Sequence, residues 1–465
     1  MTDIDVAIIG AGAAGLSAAR TLAAAPLNVA VLEARDRIGG RAHTVPLAGL
    51  RLDLGCEWLH SADRNPLVAP IAASGLTIDK TPPPWASPQA TPTLTAEERQ
   101  AYGAAFAAFD ERVEVAAREP ADRPASDLLE PGAPWNPLLN AFSSYYNGEA
   151  FDVVSVKDYA AYDDSEVNWR VVEGYGTGIT GLAPQGVRIL DGCPVSLLRH
   201  DGPRLRLETP KGVVQARAAV ICVPTAVLAA GGLRILPELP AKLAAAEGLP
   251  LGVADKVFLK LDEPEAFAAE SMVYGAPDRT ATGAYHLRPL GRPIIEAFFG
   301  GAHARALEAE GPGASAAFAI EELVGVYGSG LRSRVSVLAK TAWAFPGPAA
   351  PTPTPCPAGP ASAPSWPRRW TAGCSSPARP ARPMRSRRPT GRGRPGNGRR
   401  GRCWRRWGSK TRTSAHPGIR RDERIKGSSP SWPANPGSRS AASPPASAPA
   451  ALRARGRRPR RGGSG

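Results

Sequence analysis

The residues with the clearest chemical meaning lie near the N-terminus, in the run Gly10-Ala-Gly-Ala-Ala-Gly15. This run follows a short apolar segment, Ile4 to Ile9, and opens an Ala/Leu-rich segment that reaches about Ala24, so the pattern predicts strand, turn and helix. In that setting the first glycine permits a tight turn, the second lets backbone approach a diphosphate, and the third lets the helix pack on the strand. The helix N-terminus then presents its N–H groups to the phosphates.

A second predicted strand, Asn28 to Glu33, ends in a carboxylate at the spacing where an acid accepts hydrogen bonds from a ribose. The segment that follows, Glu33 to Arg41, adds a glycine pair and an arginine whose guanidinium can pair with a diphosphate. A lone G-x-G-x-x-G run also serves ordinary strand–helix packing, but strand, helix and acidic strand end together predict dinucleotide binding. FAD-binding oxidoreductases have the second element and typical NAD dehydrogenases lack it, so FAD is favoured. The residues predicted to hold it here are Gly10, Gly12, Ala13, Ala14, Gly15, Glu33, Ala34, Arg35, Gly39, Gly40 and Arg41.

The elements that must position these residues predict an α/β protein with two interleaved domains. Some 345 residues exceed the size at which one core stops growing. We expect a Rossmann-like FAD-binding domain from residues 1–81 and 171–250. A mixed α+β substrate domain would take 82–170, which is helical, and 251–345. A ligand would then sit where the two domains meet.

Helix and strand signals mark the parts of this second domain. Thr95 and Glu98 form a capping box before a helix whose Tyr102, Phe106, Phe109 and Val113 share one face, which is typical of core packing. Further predicted elements of this domain are strands at Lys256 to Leu261 and Pro293 to Phe299 and a helix from about Ser315 to Tyr327. The second part of the FAD-binding domain is predicted to contain strands at Arg204 to Thr209 and Gly212 to Arg217 and an apolar strand ending at Pro224.

Taken together, the motifs resemble the flavin amine oxidase family, which includes monoamine oxidases, polyamine oxidases, L-amino-acid oxidases and lysine-specific histone demethylases. The resemblance covers nearly all of the first 345 residues. It is carried, in the family's order, by Gly10 to Gly15, Glu33 to Arg41, Asp53 to His60, Glu173 to Gly176, Pro194-Val195, Val220 to Pro224 and Ala254 to Leu259.

This resemblance implies roles for individual residues. Gly55 and Trp58 would lie along the flavin, Val195 would contact the adenine through its backbone, and Lys256 would reach the flavin N5 through a water. Each has a plainer interpretation: Trp58 as a core aromatic, and Lys256 as a solvated strand end before an apolar run. His60 fits a structural hydrogen-bonding role better than that of a catalytic base. The family mechanism needs no protein acid.

The resemblance also implies a reaction. An amine would lose a hydride from the carbon next to its nitrogen, and dioxygen would take the electrons and become hydrogen peroxide. Helices carrying Trp135, Phe142, Tyr145 and Tyr146 would wall the substrate cavity. Related FAD enzymes, such as carotenoid desaturases and protoporphyrinogen oxidase, remain an alternative, and so does a non-catalytic remnant or a binding protein acting through a basic tail.

Composition divides the chain sharply. From Pro346 to Gly465 there are 27 Lys+Arg and 2 Asp+Glu, whereas Met1 to Phe345 carries 30 Lys+Arg and 40 Asp+Glu. The net charge of +15 therefore comes from the tail. A nucleic-acid or membrane partner is therefore not expected for the body. With no targeting or membrane-spanning run, and with cysteines in neither disulfide nor metal spacing, we expect a cytoplasmic protein without a metal site.

The tail itself predicts disorder, since 22 of the 49 prolines and 25 arginines fall there. We interpret it as an out-of-frame reading that begins near Ala344 to Gly347. Codons built from the third base of one codon and the first two of the next can spell G-S-Y-S-Y-A-L-P-G-R across 349–359. Across 373–400 they can spell a segment containing F-A-G-E-A and H-G-A, which the family has here. Because that segment completes the flavin site in the family, the chain as given should bind FAD poorly and turn over little amine.

Overall fold

The computed structural model describes residues 4–86 and 93–344. The out-of-frame tail predicted from the sequence, 346–465, lies outside these residues. In chain order the strands are β1 (Ile4–Ile9), β2 (Val29–Leu32), β3 (Thr44–Leu47), β4 (Leu50–Asp53), β5 (Trp58–Leu59), β6 (Ile78–Asp79), β7 (Trp169–Val171), β8 (Arg188–Leu190), β9 (Leu197–Arg199), β10 (Leu205–Thr209), β11 (Gly212–Ile221), β12 (Arg234–Leu236), β13 (Ala254–Leu261), β14 (Ser271–Tyr274), β15 (Ala284–Leu287), β16 (Ile294–Gly300) and β17 (Val335–Lys340).

The helices lie between these strands and cover their faces. They are α1 (Ala13–Leu22), α2 (Val68–Ala73), α3 (Ala96–Ala116), α4 (Asn136–Tyr146), α5 (Val156–Ala160), α6 (Tyr175–Thr180), α7 (Thr225–Ala229), α8 (Pro240–Glu247), α9 (Gly301–Glu310) and α10 (Ala314–Tyr327).

A seven-stranded sheet carries the N-terminal motif. Its order is β12-β9-β10-β11-β1-β2-β8, with β1 parallel to both β2 and β11. Strands from the first 32 residues therefore pair with strands from 188–236, as a discontinuous domain requires. The strand predicted at Gly212 to Arg217 is longer than expected, because its second half leaves the β10 hairpin and pairs with Val6 to Ile9 of β1.

The predicted strand, turn and helix at the N-terminus are confirmed, with small shifts at their ends. β1 has the predicted bounds, while α1 ends at Leu22 rather than Ala24. β2 starts at Val29, because the backbone N–H of Asn28 donates to the Asp5 carboxylate instead of joining the ladder. All four residues of β2 are buried, which explains why this strand reads as a continuous apolar run.

A five-stranded antiparallel sheet, β14-β15-β16-β13-β17, forms the second large layer. Its central strands β13 and β16 pair over seven residues, and the predicted strands at 256–261 and 293–299 correspond to them. Helices α9 and α10 bury one face, with Leu307 and Leu323 packed against Val257 and Phe299. The predicted helix at Ser315 to Tyr327 is α10.

The predicted helical region is built on α3, α4 and α5. Thr95 and Glu98 form the capping box, with the Glu98 N–H donating to the Thr95 hydroxyl and the Thr95 N–H to the Glu98 carboxylate. Phe109 and Val113 are fully buried, so this part of the α3 stripe is core as predicted. Tyr102 and Phe106 are half-buried at the edge of the same cluster. Within the described ranges, no helix combines the length and apolar composition that crossing a bilayer requires.

Candidate functional site

A cavity of about 860 Å³ lies at the carboxyl ends of β1 and β2. This volume falls in the upper part of the roughly 300–1,000 Å³ range of ligand sites. Of the residues predicted to hold FAD, all but Gly15, Gly55 and Lys256 line it. The lining residues are Gly10, Gly12, Ala13, Ala14, Glu33, Ala34, Arg35, Gly39, Gly40, Arg41, Trp58 and Val195.

The glycines let backbone approach backbone around this cavity. A Cβ on Gly40 would lie 3.0 Å from the Gly12 Cα, so the two predicted elements touch where neither has a side chain. Gly15 lies behind the cavity, and its Cβ would lie 1.9 Å from the Gly10 carbonyl oxygen. This is the close strand–helix packing expected of the third glycine.

The Glu33 carboxylate is placed by the backbone at the mouth of the turn. It accepts from the Ala11 N–H at 2.6 Å and from the Arg35 N–H at 3.0 Å, and the side chain is buried. Each carboxylate oxygen keeps a second lone pair. Glu33 therefore joins the glycine turn to the segment after β2 while facing the cavity.

Arg35 and Arg41 line the cavity and give it a positive wall that fits an anion. Arg35 and Arg37 both donate to the Gly40 carbonyl oxygen, at 3.0 and 2.9 Å, and the buried Arg37 Nε has no hydrogen-bond partner among the described residues. Burial, reinforced by the like charges of Arg37 and Arg41, lowers the pKa of Arg35 to about 9. Buried cations of this kind are stabilised by a paired anion, and a diphosphate offers bidentate acceptors.

Asp53 and Gly55 fix the segment that leads from β4 into the site. The Asp53 carboxylate accepts from the Tyr175 and Gly176 N–H groups at 2.9 and 3.2 Å and so caps α6. A Cβ on Gly55 would lie 1.8 Å from the Arg41 carbonyl oxygen, so only glycine fits without a shift of backbone. Gly55 is thus behind the cavity wall rather than on it.

Lys256 is buried, with 2 % of its surface exposed, so the interpretation as a solvated strand end is wrong. Pairing of β13 with both β16 and β17 places it inside the sheet. Its Nζ donates to Glu296 at 2.5 Å, to Glu57 at 3.0 Å and to the Asp53 carbonyl oxygen at 3.2 Å. Lys256 does not line the cavity.

Glu57 and Glu296 were missed by reasoning from the sequence. Burial and the neighbouring Glu57 carboxylate raise the pKa of Glu296 to about 8. Burial acts to raise the pKa of Glu57 as well, but the Lys256 ammonium, helped by His286, outweighs it and lowers that pKa to about 2. One nitrogen or oxygen atom each of Glu57, His286 and Glu296 lies within 4.8 Å of the other two, a grouping that could hold a metal ion. Here the bonded Lys256 ammonium supplies the positive charge.

Trp58 connects the cavity to this buried group. Its ring is 4.8 Å from the Arg170 guanidinium and 6.5 Å from the stacked His286 ring, and Trp85 contacts it edge-on at 4.7 Å. Trp58 is both buried and part of the cavity lining, so its two interpretations are compatible. His60 bonds the Asn168 side chain at 2.6 Å, as a structural residue would.

Other cavity residues lie next to the motifs without belonging to them. Some of these residues are close in the chain to a motif residue, and that position was the sequence signal that could have found them. The others lie in loops where the sequence shows no recognisable pattern. They include Ser61, Arg64, Asn65, Leu67, Tyr162, Asp163 and Leu233.

Comparison with known proteins identifies the family. The family model described as flavin containing amine oxidoreductase matches residues 13–140 and 129–377. The chain belongs to this family. Polyamine oxidase 2 of Arabidopsis thaliana is 28% identical over 358 residues, which cover 68% of this chain and 71% of that protein. Putrescine oxidase of Kocuria rosea is 51% identical over 72 residues, which cover 16% and 15% of the two chains.

Solved structures of family members share the fold. A putrescine oxidase bound to putrescine superposes with a TM-score of 0.61 at 17% identity, covering 73% of this chain and 85% of that one. Cyclohexylamine oxidase from Brevibacterium oxydans superposes with a TM-score of 0.57 at 18% identity, again covering 73% of this chain and 85% of that one. The chain is thus a flavin amine oxidoreductase with FAD as its cofactor, and its reaction is the FAD-dependent oxidation of an amine.

Proposed function

We propose that the amine is an aliphatic di- or polyamine and that dioxygen takes the electrons, giving hydrogen peroxide. The observation that carries this proposal is the continuity from the glycine-lined cavity through Trp58 to the buried Lys256. Relatives named polyamine oxidase and putrescine oxidase support the substrate class.

In this proposal different cavity residues bind different parts of the cofactor. The backbone at Gly10 to Gly15 and the arginines near Gly40 would bind the diphosphate, Glu33 the ribose, and the Val195 backbone the adenine. Trp58 would lie along the ring system, on the segment held by Gly55. FAD supplies the hydride acceptor when bound.

Lys256 would act near the reactive end of the cofactor, as the resemblance implies. All three Nζ hydrogens have protein acceptors in the structure. Donation to a water would therefore replace the longest bond, the one to the Asp53 carbonyl oxygen at 3.2 Å. Glu57 and Glu296 would keep the ammonium in place during that exchange.

The substrate would enter beside the helical region. The Tyr102 ring lies 5.7 Å from the Trp135 ring and 6.3 Å from the Tyr274 ring, and aromatic faces attract ammonium groups. The proposed domain boundaries remain 1–81 and 171–250 for FAD, and 82–170 and 251–345 for the substrate.

The proposal includes the frame change near Ala344 to Gly347. The chain as given would then lack part of the flavin site, so it would bind FAD weakly and turn over little amine. A cytoplasmic location and the lack of a nucleic-acid partner belong to the same proposal and rest on the sequence argument alone.

The test compares the chain as given with a version in which the downstream frame is restored. Both are purified, their flavin absorbance is measured, and peroxide release is followed with putrescine, spermidine and benzylamine. We expect the restored chain to be yellow and active on the first two amines, and the given chain to be nearly colourless. Peroxide from benzylamine alone would refute the substrate class, and a yellow, active chain as given would refute the frame hypothesis.

A further inference from the structure

The hydrogen bonds of Lys256 define its charge. A neutral amine has two hydrogens to donate, whereas an ammonium has three. Because Nζ faces three acceptors, on Asp53, Glu57 and Glu296, the geometry fits the ammonium, which alone can donate to all three. The side chains of Lys256, Glu57 and Glu296 are 3, 9 and 3 % exposed, so water contributes little to holding this charge.

The two carboxyl groups lie close together around one ammonium. Each places an oxygen within 4.8 Å of the other, and both accept from the Lys256 Nζ, at 3.0 and 2.5 Å. One proton held by the two carboxyls leaves a single carboxylate between them. With that proton, one ammonium faces one carboxylate, and the buried group is neutral. Two ionised carboxylates around a single ammonium would instead leave a buried negative charge, which is costly.

His286 and Glu270 lead from the two carboxyls toward solvent. His286 lies directly across the strand pair from Glu296, and one of its ring nitrogens comes within 4.8 Å of both carboxyls. Its Nε2 is 2.8 Å from Glu270, whose side chain is 21 % exposed. The other charged groups facing this set are Asp53 at the end of β4, Arg170 on β7 and Asp79 on β6.

We propose that Glu57 and Glu296 are positioning residues that share one proton and hold the Lys256 ammonium, with His286 and Glu270 connecting that proton to the surface. Neither carboxyl lines the cavity, so both act through Lys256. Holding the lysine charge and storing a proton are the two tasks of the pair.

The catalytic use of this proton rests on the proposed function. A substrate ammonium must lose one proton before its C–H bond breaks with the electron pair. The pair of electrons, that hydrogen and one further proton convert dioxygen to hydrogen peroxide. The sum is R–CH₂–NH₃⁺ + O₂ → R–CH=NH₂⁺ + H₂O₂, so the proton released by the substrate replaces the one delivered to oxygen. Acting through Lys256, the acid pair can deliver the proton that oxygen needs and regain one from solvent through His286 and Glu270.

Infrared difference spectroscopy of the full-length chain tests the shared proton without any turnover. Spectra of the unmodified chain are compared with those of Glu296→Gln, Glu57→Gln and, as a control, the exposed Glu265→Gln. We expect a carboxylic-acid C=O band that either of the first two substitutions removes and the control keeps. Removing Glu57 abolishes the band because Glu296 then ionises beside Lys256.

Titrating the unmodified chain keeps the test decisive if a variant does not fold. The same band should disappear as the pH rises through about 8. The proposal is overturned if Glu57→Gln leaves the band unchanged, since the acid would then belong to Glu296 alone. It is also overturned if the unmodified chain shows no such loss between pH 6 and 10.

Kinetics of the frame-restored chain test the use of the proton. Glu296→Gln should slow flavin reoxidation by dioxygen roughly 10²- to 10⁴-fold, the usual range for losing a general acid, and leave anaerobic flavin reduction far less affected. Glu296→Asp should recover part of the rate. Equal slowing of both half-reactions would refute the proton role. If the infrared band is present but the frame-restored chain turns over no amine, the shared proton stands and the proposed function is refuted instead.

Discussion

Substituting methionine for Lys256 should lower the free energy of unfolding by about 3–5 kcal/mol at pH 8, the usual cost of breaking a buried ion pair. Methionine keeps the apolar stem, so the loss comes from the charge. Without the ammonium, Glu57 loses the interaction that keeps its pKa at about 2, and burial then favours its protonated form. The Asp53 carbonyl oxygen also loses a donor.

The cost should shrink as the pH falls, and the sign follows from proton counting. Within the Glu57–Glu296 pair, the folded parent holds one proton more than the unfolded chain between about pH 5 and 8, on Glu296. The folded variant holds two, because the pKa of Glu57 is then raised above its unfolded value as well. A group whose folded pKa is raised adds stability at low pH and loses it as the pH rises. The variant therefore regains about 1.4 kcal/mol per pH unit relative to the parent, or about 2.7 kcal/mol from pH 8 to pH 6.

Urea unfolding followed by tryptophan fluorescence at pH 6, 7 and 8 measures both effects. The matched control is Lys260→Met on the same strand, whose side chain is 49 % exposed and bonds Asp262 at 3.1 Å. Its cost should stay within about 0.5 kcal/mol at each pH. A Lys256→Met cost below about 1 kcal/mol at pH 8, or one that does not change with pH, would refute the reasoning about the buried group.

Gly55→Ala should destabilise the fold by about 3 kcal/mol or more, since its Cβ would lie 1.8 Å from the Arg41 carbonyl oxygen. Gly103→Ala, in the open interior of α3, should stabilise by about 0.5–1 kcal/mol, and equal effects in urea unfolding would contradict the packing argument. Thr95→Ala should cost about 1 kcal/mol in thermal unfolding because it removes the capping box. Thr21→Ala, at an exposed helical hydroxyl, is its control, and a similar loss there would count against the cap.

Local order along the chain explains what the sequence could predict. The turn at Gly10 to Gly15 and the capping box at Thr95 depend on residues a few positions apart. Their physics is a close backbone approach or a side-chain cap, and both leave a pattern in the sequence. The seven-stranded sheet could be anticipated as discontinuous because the second set of strand signals resumes after the helical region.

The buried lysine group could not be predicted in the same way. Lys256 is 199 residues from Glu57 and 40 from Glu296, and the register of β13 on β16 decides which side chains meet. A lysine before Val-Phe-Leu reads as a strand end, because burial of a charge depends on partners that the local pattern does not contain. The order of the motifs predicted Lys256 as a site residue, but it did not indicate which residues would bind its ammonium group.

The segment from Asp53 to Trp58 explains why cofactor and lysine chemistry should be coupled. Asp53 caps α6 with its side chain and accepts from Lys256 with its carbonyl oxygen. Gly55 packs on the backbone of Arg41, at the end of the segment Glu33 to Arg41. Glu57 holds the same lysine, and the next side chain, Trp58, lines the cavity. Six consecutive residues thus fix both the cavity wall and the charged group behind it. A shift of this backbone at Gly55 would therefore move Glu57 away from Lys256 and Trp58 out of the cavity wall together.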